Sequence, residues 1–248
     1  MIFGIDHAAL SGPRTPARQA FLAERGYRQV LAADDLDNPE MKMPWLGEYR
    51  ARLALALFRA PESVGVEIVD HFHTHGVADR LLPVLYGDAP LSPSDTPLVQ
   101  TPLGPAWWSH ALGAGYVLAP GPQQPIRTFV WRCSRPEASA RFWCKFGFAV
   151  DRVDSIDMCA LHFRGMDRVD CSIMLLPAEN TQPSRLDANG FTSLAFVTTS
   201  IERDLADLES QGVRVSPIAS ITPGDRPLKV GFAEGPDGEL VELIGSPS

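Results

Sequence analysis

Residues 190–244 read GFTSLAFVTTSIERDLADLESQGVRVSPIASITPGDRPLKVGFAEGPDGELVELI, and every junction in this run is marked. Phe191 to Thr198 is apolar and rich in β-formers, which predicts a strand. Ile201 to Gln211 carries Ile201, Leu205 and Leu208 at helical spacing, with Ser200 placed to cap its start and Gly212 its end. Val213 to Ile218 alternates in polarity, Lys229 to Ala233 reads as a further strand, and Pro236-Asp237-Gly238 is a turn signal leading into Leu240 to Ile244. The order is strand, helix, then three strands.

The unit recurs along the chain. Ala17 to Phe21 runs on to Gly26-Tyr27, and Ser139 to Phe142 runs on to Gly147-Phe148; in both cases the Phe lies five residues before the Gly. A first unit opens with a strand at Ile2 to Leu10, a helix at Thr15 to Glu24 with Pro16 in its first turn, and a strand at Tyr27 to Ala32. A long polar loop, Asp34 to Tyr49, is placed to cover a pocket, and strands are expected at Ala51 to Arg59 and Val64 to His71. A second unit has Ile126 to Cys133, a helix Pro136 to Phe146, and strands near Ala149 to Val153, Met158 to Phe163 and Cys171 to Leu176. Residues 76–125 are punctuated by prolines yet keep Leu81 to Tyr86, Trp107-Trp108 and Tyr116 to Leu118, which is too apolar for a solvated linker. This segment is expected to pack on the first unit, as a degenerate fourth unit or as a cover.

Phe232, Pro236, Asp237, Gly238, Glu242 and Leu243 fit the pattern F-x-x-x-P-D-G-x-x-x-E-L. With that motif the sequence resembles the vicinal oxygen chelate superfamily, the glyoxalase, bleomycin-resistance protein and extradiol dioxygenase group, whose unit is βαβββ. The resemblance implies an α+β fold in which βαβββ units pair into a cupped mixed sheet of glyoxalase/dioxygenase type, with the active site on the concave face. On that expectation the chain divides into an N-terminal unit, residues 1–75, a Pro-rich irregular segment, residues 76–125, and a glyoxalase-like domain, residues 126–248, whose two consecutive units form one continuous sheet. The first unit then needs another partner, either the 76–125 segment or a second copy of the chain in a homodimer.

Among the 248 residues, 45% are apolar and 21% charged, which points to a folded globular chain. A net charge of −8 without any basic run argues against nucleic acid or an anionic membrane as partner and leaves a small-molecule ligand as the expected class. Met1 leads directly into a strand-like segment and no apolar run approaches about 18 residues, so a cytoplasmic location is expected. Cys133, Cys144, Cys159 and Cys171 show no C-x-x-C spacing and are expected as buried free thiols.

In the family a first-strand metal ligand stands at a fixed distance before the corner glycine. His7 precedes Gly26 by 19 residues, and the same offset reaches Thr128 from Gly147 and Ser193 from Gly212, so one of the three units carries an imidazole there. Glu67 and Glu242 fall where the family's last-strand carboxylate falls. The resemblance therefore implies a divalent metal ion, Fe, Mn, Ni or Zn, on His7 and Glu67, with Glu67 or a nearby His also moving a proton. The remaining ligand is expected from His71, His73 or His110, or from a second subunit, because a continued strand would turn Glu67, Val69, His71, His73 and His75 to one side. The plain alternative is a hydrogen-bonded core histidine at position 7 and a solvated strand end at 71–75. Thr128, Arg132, Ser193 and Glu242 are expected to bind substrate in a metal-free C-terminal cup, with Arg132 opposite Glu242 equally well read as an internal ion pair. His162, between Leu161 and Phe163, reads as a half-buried, hydrogen-bonded residue. Two functions stay open: a metal-dependent lyase, isomerase or dioxygenase acting on a small oxygenated organic molecule, or a metal-free, drug-resistance-like protein that binds such a molecule without catalysis.

Overall fold

The structure, a computed structural model, describes residues 2–155, 158–163, 169–179, 182–225 and 227–246, and of 151–159 the backbone alone. The first unit comprises β1 (Ile2–Ser11), α1 (Pro16–Glu24), β2 (Arg28–Asp37), β3 (Arg52–Arg59) and β4 (Gly65–Asp70), with a 3-10 turn at Glu40–Trp45 inside the long loop. Residues 76–125 form four strands, β5 (Leu81–Tyr86), β6 (Thr96–Thr101), β7 (Gly104–Ser109) and β8 (Ala114–Ala119). The second unit is β9 (Thr128–Cys133), α2 (Pro136–Cys144), β10 (Phe148–Ser155), β11 (Met158–Phe163) and β12 (Ser172–Pro177). The third is β13 (Gly190–Thr198), α3 (Ile201–Ser210), the short β14 (Arg214–Val215) and β15 (Ala219–Ile221), β16 (Leu228–Glu234) and β17 (Leu240–Gly245).

The helices form where capping and periodicity place them. Thr15 accepts a hydrogen bond from the Arg18 amide and Pro16 opens α1, while Ile201, Leu205 and Leu208 bury one stripe of α3.

The strands lie in two sheets. One has the order β14-β16-β17-β13-β1-β4-β3-β2, with β15 on β16; the other has the order β10-β11-β12-β9-β5-β8-β7-β6. The first unit therefore pairs with the third, through antiparallel β1 and β13, and the second unit pairs with residues 76–125, through antiparallel β5 and β9. This corrects the expectation that the two consecutive units in 126–248 share one sheet, because Phe191 to Thr198 and Ile126 to Cys133 lie in different sheets. It also relocates residues 76–125, which do form a fourth unit, without a helix between β5 and β6, but join the second unit edge to edge. The first unit thus finds its partner within its own chain.

One hydrophobic core runs through both sheets, with Leu10 and Ile68 from the first and Phe129, Trp131 and Ile173 from the second. Phe129 and Phe191 meet edge to face across the junction, their centroids 6.4 Å apart. The Pro-Asp-Gly turn secures that junction. Gly238 adopts φ +80°, which L side chains rarely do, and Asp237 accepts from Arg80 Nη2 at 2.7 Å, just before β5, and from the Ser134 amide at 2.6 Å, just after β9. The motif read as a hairpin signal is in addition a clamp between sheets. Cys133 and Cys171 are buried as expected, Cys144 is exposed on α2, and the side chain of Cys159 lies outside the described residues.

Candidate metal centre

The centre is built on β1 where its pairing with β13 is irregular. Ile5 pairs with Phe196 but His7 pairs with Ala195, so Asp6 is an extra residue in the ladder. On a regular strand neighbours point to opposite faces; the bulge lets Asp6 and His7 meet. His7 Nδ1 and Asp6 Oδ2 are 2.8 Å apart. Asp6 is held in turn by Arg59, whose Nη2 donates to Oδ1 at 2.6 Å and whose Nη1 donates to the Asp6 carbonyl at 2.8 Å. With Nδ1 donating to a fixed carboxylate, Nε2 is the nitrogen left to a metal once its proton is displaced, the orienting arrangement seen around metal-bound histidines. Gly65 lies opposite His7 in β4, and a Cβ there would come within 2.8 Å of the Asp6 carbonyl.

Nε2 of His7 is buried and has no hydrogen-bond partner. It points at two carboxylates, Glu67 Oε2 at 3.4 Å and Glu242 Oε2 at 3.8 Å, whose side chains are 15% and 10% exposed. One ligand atom from each of His7, Glu67 and Glu242 lies within 4.8 Å of the others. Burial opposes a charge on His7, but Glu67 and Asp6 outweigh it and raise His7 to about 10. Burial likewise raises the proton affinity of Glu242, against the pull of Lys42 and with the help of Glu67. An unpartnered imidazole nitrogen aimed between two partly buried carboxylates fits a divalent transition metal, since imidazole suits Zn, Ni and Fe, and carboxylates suit Mn.

His7 and Glu67 therefore converge on one face, and the third side chain with a ligand atom in reach is that of Glu242, from β17 of the third unit. It does not come from the histidine run: β4 ends at Asp70, so His71, His73 and His75 leave the strand. His71 is buried and held down to about 3 by burial, His73 Nε2 lies 3.0 Å from Asp187, and His75 and His110 are exposed. The four residues expected to share a substrate cup are divided, Ser193 and Glu242 in one sheet, Thr128 and Arg132 in the other. Arg132 pairs with Asp79 at 2.5 Å, not with Glu242. His162 is half-buried and bonded to Ser172, at 2.9 Å. Asp6 and Arg59 were not anticipated; the adjacent Asp-His pair is their one signal in the sequence, and strand alternation speaks against it.

Strand register locates equivalent positions in the two sheets. Glu67 lies opposite Ala9 and Glu242 opposite Ala195, while Ala9 pairs with Ser193 and Ala195 with His7. A two-fold relation that carries Glu67 to Glu242 thus carries His7 to Ser193, in agreement with the shared 19-residue offset. In the other sheet Val130 lies opposite Met174 and Leu82, and Val84 opposite Val117. There the same four positions hold Thr128, Met174, Leu82 and Val117. Around these positions that face is packed, with Leu82, Val84, Ala106, Val117, Ala119 and Val130 buried together, while a cavity of about 470 Å³ lined by Leu98, Trp108 and Arg132 opens beside them.

His7, Glu67 and Glu242 stand in a cavity of about 350 Å³, within the usual size range of small-molecule sites. Its wall is aliphatic, and Lys42 reaches it from the 3-10 turn. A groove of about 570 Å³ between α2 and α3 is larger, but it is lined by Arg141, Lys145 and Arg214 and brings no metal-ligand set together.

Fold and site together define a cupped-sheet protein with a mixed imidazole and carboxylate centre. Residues 126–243 match the family model of the glyoxalase/bleomycin resistance protein/dioxygenase superfamily. The fold is similar to that of glyoxalase I from Zea mays, with a TM-score of 0.62, 12% identity and coverage of 97% of this chain and 92% of that one. It is also similar to a putative dioxygenase from Bacillus subtilis, with a TM-score of 0.63, 13% identity and coverage of 100% and 86%. At these identities the likeness is one of fold alone. Comparison with curated proteins gives no match. No helix among the described residues is long and apolar enough to cross a membrane.

Proposed function

We propose that the chain is a metal-dependent enzyme of lyase or isomerase type that moves a proton on a small oxygenated organic molecule bound in the cup of the first and third units. The observation that carries this reading is the unpartnered Nε2 of buried His7 facing Glu67 and Glu242 from two different units. His7, Glu67 and Glu242 would hold a divalent ion, Zn, Ni, Mn or Fe. When bound, such an ion polarises a substrate oxygen as a Lewis acid. Asp6 and Arg59 fix the imidazole, and the leucine wall excludes water. Burial raises the proton affinity of Glu242, and we give it the proton transfer, with Glu67 beside it as ligand. One imidazole with two carboxylates departs from the two-histidine, one-carboxylate set of iron oxygenases, which is why proton transfer is placed ahead of dioxygenase chemistry.

A second reading has its own support. A protonated His7 between Asp6 and Glu67 forms a self-contained ionic group, which suits a metal-free cup that binds a ligand without catalysis. The test is zinc titration of the full chain, followed calorimetrically. Tight one-to-one binding that is lost in Glu242→Ala supports the enzyme, and absence of binding leaves the metal-free reading.

A further inference from the structure

We infer that the cup takes a small aliphatic monoanion, a carboxylic acid whose charged head lies at Lys42 and whose hydrocarbon chain lies on the leucine wall. The inference rests on the metal-holding reading above and adds the class of substrate to it.

Charge is the first ground. The cavity is lined by three carboxylates, Asp6, Glu67 and Glu242, and by two fixed cations, Arg59 and Lys42. Asp6 and Arg59 neutralise one another through their hydrogen bond. Glu67 and Glu242 neutralise a divalent ion, with His7 neutral as ligand. Lys42 is then the remaining charge. The residue is half-buried and its ammonium forms no hydrogen bond or salt bridge with the described residues, standing instead 5.6 Å over the Phe232 ring. With Glu242 engaged by the ion, a partly buried cation left without a counter-charge is costly, and a ligand anion is the natural complement.

The rigidity of the Lys42 support is the second ground. Three residues on, Trp45 is buried, donates from Nε1 to Glu234 at 2.8 Å and accepts from the Leu186 amide at 2.8 Å. The amides of Gly47 and Glu48 donate to buried Asp187 at 2.9 and 3.1 Å. Lys42 is thus carried over the cup by a pinned turn, which is how a charge is held ready for a ligand rather than left in solvent.

The wall is the third ground. Leu31, Leu53, Leu55, Leu57, Leu228 and Val230 line the cavity, and among its described lining residues there is no Phe, Tyr or Trp. An aliphatic wall of this kind has no ring face on which a catechol or a large planar drug would stack, so a flexible alkyl chain is the better complement.

The test compares hexanoate, 1-hexanol, acetate and benzoate as probes by calorimetry, on the zinc-loaded full chain and on Lys42→Gln and Lys42→Arg, with zinc affinity measured in each. We expect hexanoate to bind about tenfold or more tightly than hexanol or acetate and more tightly than benzoate. Lys42→Gln should remove about tenfold of hexanoate affinity while leaving hexanol and zinc affinity within about twofold, and Lys42→Arg should retain most of the preference. Zinc binding without a preference for hexanoate, or equal losses for hexanoate and hexanol in Lys42→Gln, would overturn the inference and leave the proposed function standing. Failure of zinc to bind would overturn the proposed function and, with it, the charge balance on which the monoanion rests.

Discussion

The two cups of this chain have the same strand register and opposite contents. Four equivalent positions hold His7, Glu67, Ser193 and Glu242 in one, and Thr128, Met174, Leu82 and Val117 in the other. The first surrounds a cavity of about 350 Å³, whereas around Val117 and Val130 the second is packed with aliphatic side chains and its cavity, of about 470 Å³, lies aside from those positions at Leu98, Trp108 and Arg132. The sheet architecture therefore supplies positions, and the side chains placed on them decide whether a face is a site or a core. The same comparison explains why three polar residues tolerate burial in one cup. Each has a partner there, Asp6 for His7, and His7 for both carboxylates, whereas Val117 is buried among Leu82, Val84, Ala106, Ala119 and Val130.

Four experiments break or sharpen this contrast. The largest effect is expected from moving a carboxylate into the apolar cup: Val117→Glu places an unpaired charge at a position with 0% exposure and should cost about 3–5 kcal/mol in urea denaturation. A cost under about 1 kcal/mol would mean the second cup is not a closed core. Next, Asp6→Asn leaves all three proposed ligands in place but removes the charge that orients His7, and metal affinity should fall by about 10- to 100-fold. Unchanged affinity would show that the bulge at Asp6 serves the fold alone.

The third is a pH dependence. His7 has its folded value raised to about 10 from an ordinary 6.5. Its charged contribution to stability is therefore complete below about pH 6.5 and is lost as pH rises through about 10. Metal binding runs the other way, since an ion must displace that proton. Apparent zinc affinity, followed by competition with a chelator, should climb about tenfold per pH unit between about 7 and 9. A flat profile over that range would place the His7 proton elsewhere. Thr128→Ala is the control of smallest effect, with metal affinity unchanged.

Much of the contrast was legible in the sequence, and the missing part has a physical cause. Local signals marked the helices, the corner glycines, the Pro-Asp-Gly turn and the 19-residue frame that placed His7, Thr128 and Ser193 correctly within their units. Pairing was not local. β13 has an apolar face suited equally to β9, near in sequence, and to β1, some 190 residues away, and the preference for neighbours in sequence chose wrongly. Glu242 was consequently assigned to a cup with Arg132, although its register sets it across from His7. Residues 76–125 were hard to read because their unit lacks the helix whose period would have announced it. Asp6 was passed over because alternation along a strand turns it away from His7, and a bulge is invisible to that rule.

The central claim is that one metal ion is held jointly by the first and third units. It is tested most directly by the metal content of the tag-free full chain after equilibration with zinc and dialysis, measured by plasma mass spectrometry beside His7→Ala and Glu242→Ala. We expect about one ion per chain in the parent and loss in both variants, with folding retained because each side chain contributes only about 1–3 kcal/mol through its contacts. No ion in the parent, or full retention in Glu242→Ala, would contradict a centre shared between these two units.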